Sequence, residues 1–195
     1  MPAGAAFTLA PGVAHVLDCA LTIARMSDGA FDPTLGQASE VWGFGVGSAP
    51  GGAPDPARHA RGADWRALDF DPVTARLVQP GGVRLDLSGI AKGFAVDLAS
   101  HLLRQAGIRH HLVEIGGELR AAGVRPDGQP WWVAVELPPD WTAAPVRIAL
   151  TGWSVATSGD WRRRRGNGER SWSHTLSPAT GAPIAGAYVT RFGLE

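Results

Sequence analysis

Between Asp86 and Gly93 the chain reads Asp-Leu-Ser-Gly-Ile-Ala-Lys-Gly, a pattern in which an extended segment turns into a helix at Ser88 and Gly89. Such a junction suits an anion. The first helical N–H groups have no intrahelical partner, the helix dipole puts partial positive charge there, and glycine lets a ligand approach the backbone. Lys92 adds a full charge and is the single lysine among 18 Lys plus Arg. The spacing is not that of a Walker A loop, so a capped helix without a ligand stays open beside the ligand-loop reading.

Three other segments carry residue types that do chemistry. Glu114-Ile-Gly-Gly-Glu118 is either a tight hairpin with solvated carboxylates or bare backbone against which a flat ring or a pyrophosphate could lie. Ala156-Thr-Ser-Gly-Asp-Trp161 leads into four arginines at 162–165, a solvated hairpin flank unless they converge as a phosphate clamp. Of the six histidines, His174 alone combines hydroxyl neighbours with a following turn, in Ser173-His-Thr-Leu-Ser-Pro-Ala-Thr-Gly181. It is the candidate for proton transfer, against the plain alternative of a structural strand histidine. A nucleophile elbow, a His-x-x-x-His pair and a dinucleotide glycine fingerprint are all lacking, which argues against ordinary hydrolases and dehydrogenases.

The elements that must hold these segments follow from periodicity. Val13, Val16, Leu17, Ala20, Leu21 and Ala24 predict a helix that ends at Ser27-Asp28-Gly29. Asp32 before Pro33 predicts the N-cap of a second helix, running toward Trp42 and stopped by Gly43-Phe44-Gly45. Residues 46–64, rich in Gly, Pro and Ala, predict an exposed loop. A hairpin is expected over 68–70 and 75–78, with a third strand at 83–87. From Ser88 a long helix should present Phe94, Ala95, Leu98, Ala99, Leu102, Leu103 and Ala106 as its apolar face and end at Gly107. Strands are expected at 111–115, 119–125, 131–137, 146–150, 153–157 and 171–176. The fold class is α+β, helices packed on a mainly antiparallel sheet, in a single domain over 1–195.

Composition narrows the function classes. Lys plus Arg equals Asp plus Glu at 18 each, so no overall field attracts nucleic acid, and a compact ligand is the better expectation. Cys19 is the single cysteine, which excludes an intrachain disulfide and a thiolate cluster; it is expected to be a small core residue. No segment has the 18 or so apolar residues of a membrane span, and neither a signal pattern nor a lipobox is read among the 195 residues, which leaves export open. Leu194-Glu195 resembles a cloning scar.

Taken in order, Gly29-Ala-Phe-Asp-Pro-Thr-Leu-Gly36, Val41-Trp-Gly-Phe-Gly45, Asp86 to Gly93, Glu114-Ile-Gly-Gly-Glu-Leu-Arg-Ala-Ala-Gly123, Ala156 to Trp161 and Ser173 to Gly181 resemble the FAD:protein FMN transferases, the ApbE family. The resemblance implies a T-fold-like flavin transferase core. It implies cleavage of the FAD pyrophosphate, transfer of FMN to a threonine hydroxyl of a flavin-accepting protein, release of AMP, and assistance by Mg²⁺. Ala30, Phe31, Asp32, Ser88, Phe94 and Leu176 are then expected around FAD. The Ala91 carbonyl is expected on Mg²⁺, and His174 as the acid or base near the reacting phosphate.

Some positions depart from the family pattern: Ser177 stands where Asp is usual, Trp161 where Tyr is usual, and Glu114 where Asn is frequent. The N-terminal nucleotide-binding region and the C-terminal Ala-Asp-Ala-x-x-Thr-like segment, whose Asp and Thr hold the metal, are not found in the 195 residues, so a shortened form is expected. A flavin-binding or scaffold protein of this fold without turnover is the alternative reading. The resemblance also suggests the cell envelope or periplasm, and the sequence leaves location unknown.

Overall fold

Ala14, Leu17, Leu21 and Ala24 recur along one side of α1 (Pro11–Met26) and are all buried, which is why this stretch is helical. Pro11 occupies the first turn, where a missing N–H costs nothing, and the helix ends as Ser27 N–H donates to Ile23 O at 2.9 Å. Cys19 is exposed, contrary to expectation: two positions on from Leu17, it is turned some 200° around the helix from the buried stripe. In this computed structural model, residues 3–45, 64–137, 142–159, 164–167, 170–184 and 188–193 are described. Most of the expected loop over 46–64 therefore lies outside them.

The chain divides into two compact units, Met1–Ile90 with Arg162–Ala187 and Ala91–Trp161 with Tyr188–Glu195. In the first unit, β2 (Asp69–Asp71) and β3 (Arg76–Val78) form the expected hairpin. The strand on the other side of β3 is β1 (Ala6–Thr8), with Phe7 opposite Leu77, and not residues 83–87. Those residues run extended with one parallel bridge, Leu35 to Arg84, because their backbone is engaged with the start of α2 (Gly36–Val41). Leu17, Leu21 and Leu77 form the core, joined by Leu9, Trp65, Leu68, Phe70, Leu85 and Leu87. A two-stranded hairpin, β9 (Arg164–Asn167) and β10 (Arg170–Ser173), completes the unit's strands.

α3 (Ser88–Gln105) begins where expected and is followed by Gly107 at φ 84°, a left-handed position suited to glycine. Most of it belongs to the second unit. There β4 (His111–Ile115), β5 (Glu118–Ala122), β8 (Ser154–Gly159) and β11 (Tyr188–Gly193) make an antiparallel sheet in the order β11-β8-β5-β4. β6 (Trp131–Ala134) and β7 (Arg147–Leu150) make a separate antiparallel pair. Alternation on β5 separates the two faces of the sheet. Leu119 and Ala121 join Leu150, Val155, Trp131, Val133 and Ile148 in an apolar core. Glu118 and Arg120 instead meet Lys92 and Asp97 of α3, and His111 Nε2 lies 2.8 Å from Ser100 Oγ.

That arrangement corrects the expected apolar face of α3. Val96 and Ser100 are its buried positions, whereas Leu98 and Leu102 are 44% and 54% exposed. The helix meets its sheet along the 92–96–100 stripe and the adjoining Asp97, through three polar contacts.

Leu17 is fully buried and Met26 is 79% exposed. Leu17→Ala is expected to cost about 2–5 kcal/mol in urea unfolding, and Met26→Ala less than about 0.5 kcal/mol. Equal losses would contradict the α1 packing. At the β2–β3 turn, the Thr74 hydroxyl and then the Val73 N–H, both donating to Asp71, hold its carboxyl below the usual range. A depressed carboxyl favours the folded turn above its unfolded pKa, and that contribution fades as pH falls through the folded value. Thr74→Val is expected to return the Asp71 carboxyl midpoint toward the ordinary value in an NMR titration.

Candidate active site

The first unit assembles its chemistry around Asp86. Its Oδ1 accepts the Ser88 N–H at 3.0 Å, satisfying one of the free donors at the start of α3, and its Oδ2 accepts the Ser39 hydroxyl at 2.5 Å. Its own N–H donates to Pro33 O at 2.8 Å. The loop before α2 is thereby tied to the loop before α3. Approach is close enough to require glycine at 36, where an added Cβ would sit 2.6 Å from Arg84 O.

Asp32 is buried and does not cap a helix directly. Its Oδ1 accepts from Thr34 N at 2.8 Å and Thr34 Oγ1 at 2.6 Å, and its Oδ2 accepts from Trp65 N at 3.2 Å. Because this Asx turn occupies the backbone after Asp32, α2 starts at Gly36 rather than at Pro33. Ala30 is exposed and Phe31 half-buried. The Phe31 ring lies against the α3 start, with Cε2 3.1 Å from where a Cβ on Gly89 would be. Ser88 and Gly89 are exposed. Phe31, Ser88 and Gly89 are therefore neighbours, an aromatic surface beside an exposed helix N-terminus.

His174 is held by the other end of α2. Trp42, just past the helix, donates its indole N–H to Gly181 O at 2.7 Å, and the Trp172 indole donates to Trp42 O at 3.0 Å. The two indoles meet edge-on at 5.9 Å, and Arg165 Nε donates to Gly43 O at 3.1 Å. Phe44 and His174 pack as a T-shaped pair, ring centroids 5.9 Å apart and planes at 64°. Leu176, half-buried, forms an antiparallel bridge with Pro183. β10 ends at Ser173, so His174 stands just beyond the strand that was expected to contain it.

The remaining expected residues lie in the second unit. Ala91 and Phe94 follow Ser88 along α3 by three and six positions, both half-buried. Lys92 is committed to Glu118, Nζ to Oε1 at 2.5 Å, which makes the basic residue of the loop a structural partner of β5. Gly116 and Gly117 are both left-handed, at φ 60° and 92°, so the glycine pair is a hairpin turn between β4 and β5. Asp160, Trp161, Arg162 and Arg163 lie outside the described residues, and the clamp reading rests on them. Ser39 was not singled out in the sequence, and Trp42, Phe44 and Asp86 entered it as members of motifs without a role of their own. One signal was available for Trp42, since an indole N–H in an apolar setting needs a partner.

The ApbE family model matches residues 2–190. The chain belongs to the ApbE family. An FAD:protein FMN transferase of Haemophilus influenzae is 35% identical over 180 residues, covering 88% of this chain and 52% of that protein. One from Vibrio cholerae is 33% identical over 184 residues, covering 91% and 54%. Among solved structures, the flavin transferase ApbE from Vibrio cholerae superposes with a TM-score of 0.84 at 33% identity, covering 98% of this chain and 62% of that one. The apo flavinyl transferase ApbE of Pseudomonas stutzeri gives 0.77 at 37% identity, covering 94% and 58%. The chain thus spans about half the length of the curated relatives it matches. The α+β class, with helices and antiparallel sheets, agrees with these ApbE folds.

For a flavin nucleotide the first unit offers a fit: the Phe31 ring, the exposed start of α3, and a buried Trp65 Nε1 donor without a partner, close to Gly29. For Mg²⁺ the described residues of neither unit offer one. Among the described residues no group of three or more His, Cys, Asp or Glu could hold a metal, and the Ala91 carbonyl alone falls short of the roughly six oxygens a hard cation takes.

Asp86→Ala is expected to lower stability by about 1–2 kcal/mol through the lost cap, and Asp86→Asn by less, since an amide oxygen still accepts from Ser88 N. Chemical denaturation checks the order, and Asn as costly as Ala would remove the cap from the account.

Proposed function

We propose that this ApbE-family chain carries the core of an FAD:protein FMN transferase. The observation that supports the reading is the clustering of Phe31, Ser88 and Gly89 at an exposed, Asp86-capped helix start, in a chain whose motifs keep the family order. In the proposed reaction a threonine hydroxyl of a flavin-accepting protein attacks the phosphorus of the FMN half of FAD. A new P–O bond forms as the P–O bond to the AMP phosphate breaks, and AMP leaves. His174 takes the proton from the attacking hydroxyl. Backbone N–H groups at the α3 start and the helix dipole stabilise the phosphate charge. Ala30, Phe31, Asp32, Ser88, Phe94 and Leu176 are assigned to FAD. Asp32 contributes by fixing its loop, because both of its carboxylate oxygens are already bonded within the fold.

Mg²⁺ dependence belongs to the proposal through the family resemblance, with the Ala91 carbonyl as the one ligand assigned. A location in the cell envelope belongs to it on the same ground, and cell fractionation tests it. Among the described residues no helix is long and apolar enough to cross a membrane.

The test is to incubate the protein with FAD, Mg²⁺ and a threonine-containing acceptor peptide and to look for the FMN mass increment on the peptide together with free AMP. His174→Ala is expected to reduce transfer by about 10²–10⁴-fold, the range of a lost general base. FAD binding without any transfer would replace this reading by that of a flavin-binding protein, and absence of FAD binding would remove both.

A further inference from the structure

We propose that Phe44 is a positioning residue for His174: its ring fixes the orientation of the imidazole through the edge-on contact at 5.9 Å and 64°. The inference rests on the flavin-transfer reading for its kinetic consequence, but not for its structural one.

Phe44 is itself immobilised. It follows Gly43, whose φ of 83° turns the chain sharply after α2, and the N–H groups of Phe44 and Gly45 both donate to Ser39 O, at 2.7 and 3.0 Å. A Cβ on Gly45 would clash with the Glu40 backbone at 2.9 Å, so the turn closes tightly on α2. The segment that bears His174 is gripped on both sides by the same turn, through the Trp172 indole on Trp42 O and the Trp42 indole on Gly181 O. Those bonds fix the backbone around residue 174, while Phe44 is the aromatic surface on which the ring itself rests. A T-shaped aromatic pair is favoured beyond the area it buries, which biases the imidazole toward one orientation. A base must present its lone pair along the direction of the departing proton, so ring orientation governs turnover rather than substrate affinity.

Two measurements test this. The first needs no activity: the carbon-bound imidazole protons of His174, assigned with His174→Gln, are followed by NMR in the wild type, Phe44→Leu and Phe44→Tyr. Leu is expected to shift and broaden the His174 signals while leaving those of His101 and His110 in place, and Tyr is expected to restore them. Unchanged His174 signals in Phe44→Leu would overturn the proposal. The second is steady-state transfer. Phe44→Leu is expected to lower kcat roughly threefold to tenfold, the rate equivalent of one aromatic pair, with the KM for FAD unchanged and recovery in Phe44→Tyr. A rise in KM alone, or a thermal midpoint loss that accounts for the whole effect, would assign Phe44 to binding or folding instead. If the wild type transfers no FMN, the transfer reading fails while the NMR comparison still decides the position of the ring.

Discussion

The carboxylate of Asp86 is the constraint on which the first unit turns. One oxygen caps the start of α3, the other takes the hydroxyl of Ser39, and the residue's N–H reaches Pro33 O. Without that side chain the Ser88 N–H at the start of α3 and the Ser39 hydroxyl within α2 would lose the acceptor that joins them, a costly state in a partly buried setting. With it, six-residue α2 becomes a strut. It would be marginal alone, far below the length at which isolated helices persist in water. Held at Ser39 and anchored past its end by Trp42 on Gly181, it relates the exposed helix start at Ser88 to the segment bearing His174.

The second unit solves its packing differently. An apolar core lies between the two sheets, at Leu119, Ala121, Leu150 and Val155. The side of β5 that faces α3 is written in charge and hydroxyl, with Arg120 donating to Asp97 at 2.8 Å and Ser154 at 3.2 Å. Ion pairs of this kind add little net stability, since desolvation offsets attraction. What they supply is register. A leucine stripe tolerates sliding by a turn, whereas Lys92 to Glu118 and Asp97 to Arg120 match at one offset only.

That choice explains where the sequence could be read and where it could not. α1 was legible because its buried positions are apolar and periodic, and strands β4 to β8 were legible because Gly and Pro punctuate them, whereas β11 was not expected. The start of α3 was legible from Asp86-Leu-Ser-Gly alone. The buried face of α3 was not, because Lys92 read as charge for an anion, Ser100 fell outside the apolar pattern, and Leu98 and Leu102 read as core. Asp32 misled for a related reason: Asp before Pro signals a helix cap, yet the same side chain closes an Asx turn when a Thr two residues on and a distant Trp65 N–H compete for it. Such partners are far apart in sequence, and no local pattern announces them. Of the candidate site, the motifs were visible in the chain, but their grouping was not, since it runs through hydrogen bonds of Ser39 and Trp42 and a ring contact of Phe44 with residues far away in sequence.

Group transfer between a nucleotide and a hydroxyl sets a demand that this architecture suits. Little covalent chemistry is asked of the protein, so the rate depends on alignment and on fixed charge where negative charge develops. A histidine on a free strand end would sample several orientations, and each nonproductive one lowers the fraction of time a proton can be taken. The fold restricts that freedom: indole N–H bonds and the Arg165 Nε bond to Gly43 O hold the backbone, and an aromatic ring borders the imidazole.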